Sequence, residues 1–150
     1  MKKILVVSDD HGHREYLEML VQKYPDFDYY LHAGDSGEYE QNLYPFISVK
    51  GNNDYYIDKL TRIITVDNHR IFLTHGHRNF LSKHVMISTC KNNNCDIYIH
   101  GHTHRPYYEY ADGVHMLCPG SLTYPRSFFG ASYAIITIDG EDVKVEIKKF

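Results

Sequence analysis

At 150 residues the chain has the length of one typical domain, enough to bury about two-thirds of its unfolded surface and build a core. A formal charge of −3 argues against a non-specific nucleic-acid binder, since no basic excess is available to neutralise phosphates. The apolar stretch in the opening MKKILVVSDD is too short for a signal peptide or a membrane span, so a cytoplasmic protein with no membrane partner is expected.

Three cysteines (Cys90, Cys95 and Cys118) read as reduced thiols rather than a disulfide framework. Cys90 and Cys95 flank KNNN but lack the close-spaced partners of a structural zinc site.

In chain order, KKILVV is a short apolar run rich in β-branched residues that ends in the polar SDDHGH, a buried strand followed by a loop. REYLEMLVQKY sets Tyr16, Leu17, Leu20, Val21 and Tyr24 at helical spacing before Pro25 stops it. FDYYLHAGD and FISVKGNND each repeat the pattern of an apolar strand running into a turn. A hairpin follows, Arg62 to Val66 and Arg70 to Thr74, whose second strand leads into THGH. A weaker helix over Leu81 to Lys91 precedes CDIYIHGHTH. Two further hairpins turn at Asp112-Gly113 and at Gly140.

Five strand ends are thus followed at once by polar clusters: SDDHGH, HAGD, GNND, THGH and HGHTH. In α/β sheets ligands bind beyond the carboxyl ends of strands, so the five loops are expected to meet. Taken singly each has an ordinary explanation. Ser and Asp cap helices, which is the reading favoured for Asp10, and Gly-Asp or Gly-Asn-Asn-Asp are common turn sequences. Together they supply Asp9, His11, Asp35, Asn52, His75, His102 and His104, the inventory that a pair of divalent ions requires. Mixed imidazole and carboxylate ligands suit Mn, Zn or Fe, whereas an all-oxygen set would suit Mg or Ca. If the segments are extended, Asp9 and His11 face one point. His102 and His104, roughly 6.6 Å apart, can then reach two ions about 3.5–4 Å apart. His100, on the strand itself, is read as a packing or supporting residue.

The ordered motifs Asp9-x-His11, Gly34-Asp35, Gly51-Asn52, His75-Gly76 and Gly101-His102-x-His104 resemble those of the calcineurin-like metallophosphoesterases, in particular the small stand-alone phosphodiesterases. CPGS at Cys118 to Ser121 also looks like that family's late turn. The resemblance runs from the first strand to the last hairpin. It implies a single domain over residues 1–150, folded as a four-layer α/β/β/α sandwich in which two facing sheets are flanked by helices. Asp9, His11, Asp35 and His104 would hold one ion, and Asp35, Asn52, His75 and His102 the other, with Asp35 as the bridge. The ions, Mn²⁺ first with Zn²⁺, Fe²⁺ or Ni²⁺ as alternatives, would activate a shared water to hydroxide and neutralise phosphate oxygens. Catalysis would then run through Asp9, Asp35, Asn52 and His102, with Asn53, His77, Arg78 and Arg105 as substrate contacts and Arg14 a further cation beside the loops.

Asp10 stands where the family often has threonine. Asn53 stands where the monoesterase and protein-phosphatase branch has a proton-donating histidine, so a phosphodiester is the expected substrate class. Two alternatives differ in kind. One is a nucleotide pyrophosphatase; the other is a non-catalytic scaffold like the retromer subunit that shares the fold, for which tyrosines such as Tyr29, Tyr30, Tyr55, Tyr56, Tyr107 and Tyr108 would provide the partner surface. A small phosphodiester or nucleotide substrate is expected, and a homo-oligomer is left open.

Overall fold

The computed structural model describes residues 1–150. Ten strands and two α-helices follow one another as β1 (Lys2–Val7), α1 (Arg14–Lys23), β2 (Tyr29–His32), β3 (Phe46–Ser48), β4 (Thr61–Val66), β5 (His69–Thr74), α2 (Lys83–Asn92), β6 (Ile97–Ile99), β7 (Tyr107–Ala111), β8 (Val114–Cys118), β9 (Ser132–Asp139) and β10 (Asp142–Lys149). They form two five-stranded sheets, ordered β10-β9-β1-β2-β3 and β4-β5-β6-β8-β7. Strands β1, β2 and β3 run parallel, as do β5, β6 and β8, and the hairpin strands close the edges antiparallel.

Alternation along β1 shows how the layers arise. Ile4 and Val6 point into a core shared by both sheets, with Leu31, Ile71, Leu73, Ile97, Ile99, Leu117, Ala134 and Ile136. Leu5 and Val7 point the other way, against Leu17 and Leu20 of α1. On the far side Phe72, Tyr98 and Met116 pack under Met86 and Cys90 of α2. Strands covered on both faces read as continuous apolar runs, which is why KKILVV carries no polar alternation. Each fully buried aliphatic side chain here contributes about 1.5–3 kcal/mol. The result is the expected four-layer sandwich.

Both helices start and stop where local chemistry directs. Ser82 caps α2 by accepting the Val85 N–H at 3.3 Å, so the helix begins at Lys83 rather than Leu81. α1 has no side-chain cap, and the expectation that Asp10 caps it is wrong. Its N-terminal neighbour His13 donates from Nδ1 to the Asp10 carbonyl at 2.9 Å, while the Asp10 carboxylate is fully buried elsewhere. The cysteines are free and buried, and burial pushes the Cys90 thiol up to about 12. No helix is long and apolar enough to cross a membrane.

The parallel registers bring the strand ends level. Val7 pairs with His32 and His32 with Ser48, while Leu73 pairs with Ile99 and Ile99 with Leu117. The loops that follow β1, β2, β3, β5 and β6 therefore emerge together at one end of the sandwich.

Candidate metal centre

All seven side chains expected from the sequence meet where those loops emerge. Asp9 Oδ1 lies 3.2 Å from His104 Nε2, 3.7 Å from His11 Nε2 and 3.8 Å from His75 Nε2. Asp35 Oδ2 lies 3.4 Å from His75 Nε2 and 3.8 Å from His11 Nε2. Asn52 Oδ1 is 3.0 Å from His75 Nε2 and 3.2 Å from His102 Nδ1. Two groups of candidate ligands result, Asp9–His11–His104 and Asp9–Asp35–His75. Asp9 belongs to both, a sharing that the sequence reading reserved for Asp35.

The route to this geometry differs from the one the spacing suggested. Asp9, His11, Asp35, His102 and His104 are not extended; all have positive φ, between 47° and 70°. Left-handed backbone is uncommon outside glycine and persists where surrounding contacts over-determine it. Those contacts are identifiable. The Asp9 N–H donates to the Gly34 carbonyl and the His11 N–H to the Asp35 carbonyl, both at 3.0 Å, tying the first loop to the second. The Asp9 carbonyl accepts the Ser121 hydroxyl at 2.7 Å, and Asp9 Oδ2 accepts the Ser8 hydroxyl at 2.5 Å and the His102 N–H at 3.1 Å. A Cβ on Gly51 would overlap Asp35 Oδ1, and one on Gly101 would overlap Ser8 Oγ, so both loops approach too closely for any side chain there.

Backbone carbonyls fix the imidazoles. His75 Nδ1–H donates to the Ala33 carbonyl at 2.7 Å, and His104 Nδ1–H to the Tyr124 carbonyl at 2.8 Å. Each ring is thereby left with its Nε2 lone pair turned toward the carboxylates, the usual support for a metal-binding histidine. Burial opposes protonation of His75, but its hydrogen bond to Asp35 and the Asp9 and Asp35 charges outweigh it and raise its pKa. The Asp9 contact raises that of His104, against burial and the nearby Arg126 charge. Although burial works against it, contact with His75 and hydrogen bonds from Asn53 hold the Asp35 carboxyl well below the usual range.

The donor set passes one physical test for a cation. Asp9 Oδ1 is buried and accepts no hydrogen bond, although three imidazole nitrogens surround it. His11 Nε2 and His104 Nε2 also face each other at 3.4 Å. A buried carboxylate oxygen among nitrogen lone pairs is unfavourable unless positive charge lies between them. Protons or divalent cations supply that charge, and mixed oxygen and nitrogen donors suit a transition-metal dication.

The remaining expected residues divide. Asn53 lines a cleft of about 400 Å³ with His11, Gly12, Asp35 and Gly37. Its main-chain and side-chain N–H groups donate to Asp35 at 2.8 and 3.0 Å, so the amide orients that carboxylate. His77 stands 5.4 Å from the His75 ring and 6.3 Å from His102, with its Nδ1 buried and unpartnered. Burial and the neighbouring imidazoles lower its pKa. Arg78 and Arg105 are exposed beside the loops, whereas Arg14 is drawn to Glu18 and Glu38, each at 3.7 Å.

His100 belongs to neither ligand group. Its Nδ1–H donates to the Gly101 carbonyl at 2.8 Å, and burial pushes its pKa down to about 4. His100→Gln is expected to leave the metal content of the protein at the wild-type value. Loss of a full equivalent by elemental analysis would make His100 a ligand.

The roles of two buried acids escaped sequence reading, which took Asp10 for a helix cap and Asp54 for part of a turn. Asp54 accepts three backbone N–H groups, from Asp35 at 2.8 Å, Gly37 at 2.8 Å and Gly51 at 2.7 Å, clamping the second loop to the third. Asp10 Oδ1 accepts His32 Nε2–H at 2.6 Å, and His32 Nδ1 accepts the Gly34 N–H at 3.0 Å, which sets the tautomer of that ring. In the sequence Asp54 looks like a turn residue, and only the loop convergence marks it as more.

A two-sheet sandwich with a histidine–aspartate cluster at the strand ends defines a candidate metal-binding protein, and comparison with known proteins identifies its family. The profile of the calcineurin-like phosphoesterase superfamily domain matches residues 1–141. The probable metallophosphoesterase YsnB of Bacillus subtilis is 32% identical over 149 residues, covering 95% of this chain and 88% of that protein. The phosphodiesterase MJ0936 of Methanocaldococcus jannaschii is 27% identical over 141 residues, covering 79% and 82%. A crystal structure of a predicted phosphoesterase from Streptococcus pneumoniae superposes with a TM-score of 0.88 at 27% identity, over 99% of this chain and 89% of that one. Zinc-bound Vps29 of Entamoeba histolytica shares the fold, with a TM-score of 0.73 at 24% identity over 97% of this chain and 98% of that one. The chain belongs to the calcineurin-like phosphoesterase superfamily and is a metallophosphoesterase by that membership.

Proposed function

We propose that the protein hydrolyses a phosphodiester at a centre of two divalent ions, Mn²⁺ foremost. One ion would be held by Asp9, His11, Asp35 and His104, the other by Asp35, Asn52, His75 and His102. The observation that carries this reading is the buried Asp9 Oδ1, without a hydrogen bond and encircled by three imidazole nitrogens. When bound, the ions would supply a nucleophile from water near neutral pH and neutralise phosphate oxygens during in-line displacement.

The chain's own groups set the rest. Ala33 and Tyr124 carbonyls keep the ring protons of His75 and His104 away from the centre. Asn53 orients Asp35 and forms the wall of the cleft on which substrate would lie. Arg78 and Arg105 are exposed guanidinium groups on the loops after β5 and β6, and their forked donors match the phosphate oxygens of a substrate. His77 borders the centre as a neutral ring near neutral pH, its pKa already lowered by burial and its neighbours. It is therefore a poor proton donor to a departing alcohol.

Leaving-group dependence follows. With neither Asn53 nor His77 able to protonate the departing oxygen, rates on aryl diesters should fall steeply as leaving-group pKa rises, and alkyl phosphomonoesters should be poor substrates. General acid assistance is typically worth about 10²–10⁴-fold, so a flat dependence with chemistry rate-limiting would reveal an acid and point to His77 or His13. The direct test is hydrolysis of bis(p-nitrophenyl) phosphate by protein stripped of metal and then reloaded with Mn²⁺. Activity only after reloading is expected, and inactivity at every metal loading would contradict the proposal.

One observation favours a scaffold reading. Tyr39 and Tyr56 stack at 4.1 Å, and Tyr44 and Tyr55 are 89% and 82% exposed, so several aromatic side chains are open to a partner. Tyr30, counted toward such a surface from the sequence, is instead in the core. Zinc-bound Vps29 has this fold, so a cation is compatible with either case, and hydrolysis of the diester is what separates the two readings.

A further inference from the structure

Arg105 and Arg126 hang from the same histidine. Arg105 follows His104 in sequence, and the Arg126 N–H donates to the His104 carbonyl at 3.0 Å. His104 in turn donates to Tyr124, two residues before Arg126, and the Tyr124 ring stands edge-on to His11 at 5.4 Å. The segment from Tyr124 to Phe128 thus runs along the outer side of the candidate metal centre. There Arg105, Arg126, Ser127 and Phe128 line a cavity of about 500 Å³.

Three of the other four arginines have partners, and the fourth, Arg78, is exposed and does not line the cavity that Arg105 and Arg126 share. Arg14 pairs with Glu18 and Glu38, Arg62 with Glu40, and Arg70 donates to the Asn93 and Asn94 carbonyls. Arg105 and Arg126 form no ion pair, although the chain carries a net charge of −3. Two unpaired cations sharing one cavity repel each other, and an anion between them turns that repulsion into attraction. Phe128 is fully exposed on the same wall. A lone exposed aromatic is ordinary, but one beside two free guanidinium groups offers a stacking face next to an anion site.

We infer that Arg105 and Arg126 bind a second phosphate of the substrate, adjacent to the scissile diester, and that Phe128 stacks on its base. The substrate class is then a phosphorylated nucleotide diester, such as the end of a short oligonucleotide, rather than a simple aryl or alkyl diester. This rests on the phosphodiesterase reading. The scissile phosphate would lie at the metal ions, so the arginine pair is left for a different anion. A terminal phosphate fits, since it carries close to two negative charges and three acceptor oxygens, which suit two guanidinium forks.

The test compares dithymidylate, TpT, with its phosphorylated forms pTpT and TpTp, using Mn²⁺-loaded protein. Each has one scissile diester and differs only in the second phosphate. The wild-type protein is expected to show kcat/KM at least about tenfold higher for one phosphorylated form, a modest return for charge-assisted contacts from two arginines. Arg126→Met should bring that ratio to near unity with metal content unchanged, and Arg126→Glu should invert it. Binding of thymidine 3′,5′-bisphosphate to metal-free protein, measured by calorimetry, should weaken in Arg126→Met by a similar factor. Equal efficiency on all three dinucleotides, or a preference that survives Arg126→Met, would overturn the inference. If neither the dinucleotides nor bis(p-nitrophenyl) phosphate is cleaved, the fault lies in the phosphodiesterase reading, and the calorimetric comparison still decides the arginine pair, since equal affinity of wild type and Arg126→Met would overturn it.

Discussion

Asp35→Asn is expected to abolish most activity and to remove more bound metal than Asn52→Ala. Asp35 Oδ2 faces His75 at 3.4 Å and His11 at 3.8 Å, so it stands between the two proposed ion positions, whereas Asn52 faces only His75 and His102. The choice of asparagine matters because Asp35 has φ 62°, which asparagine tolerates and alanine does not. The substitution also sets an amide NH₂ against one of the two N–H groups that Asn53 donates to Asp35, since each of those groups bonds a different carboxylate oxygen. A bound cation contributes several kcal/mol of charge stabilisation, so losing it should lower kcat by about 10²–10⁴-fold. Elemental analysis alongside kinetics checks this, and a variant with full metal content and activity would remove Asp35 from the centre.

Asp54→Asn should damage the protein through two loops at once. The Asp54 carboxylate is buried and receives the N–H groups of Asp35, Gly37 and Gly51. An amide keeps one oxygen and turns a second donor against a donor. Hydrogen bonds to a charged group are worth about 1.5–3 kcal/mol each, so a loss of roughly 2–4 kcal/mol is expected. At this chain length that corresponds to a fall in Tm of about 5–15 °C. Asp54 contacts only backbone, so its effect on activity should come through the placement of Asp35 and Asn52. Mn²⁺ affinity is expected to drop about 10–100-fold, the usual consequence of losing a group that orients ligands. Calorimetry on the folded variant at low temperature separates this from instability, and unchanged affinity would show that the clamp serves stability alone.

What was legible in the sequence was the meeting of loops. Apolar runs such as KKILVV and CDIYIH end at once in Asp, His, Gly and Asn, and strands that are parallel and level bring such ends together. Residue chemistry then named Asp9, His11, Asp35, Asn52, His75, His102 and His104 as a group, and the fold brings all seven within a few ångströms. The means by which they meet was hidden. Extended backbone was the natural assumption for Asp9-x-His11 and His102-x-His104, yet both pairs adopt positive φ, held there by hydrogen bonds from distant loops. Asp10 shows the same limit. Its helix-capping reading is reasonable locally, but the pairing of Val7 with His32 sets His32 beneath the first loop and captures the carboxylate. The roles of Asp54, Asn53 and Ser121 likewise depend on which loop lies next to which, information carried by sheet order rather than by residue spacing.

The central claim is that the buried Asp9 carboxylate and its ring of imidazoles exist to hold two cations. Metal per chain, measured by elemental analysis on wild-type protein stripped with chelator, reloaded with Mn²⁺ and freed of excess ion, tests it most directly. Two equivalents, falling in Asp35→Asn and unchanged in His100→Gln, is the predicted result; wild-type protein that retains no metal after reloading would contradict it.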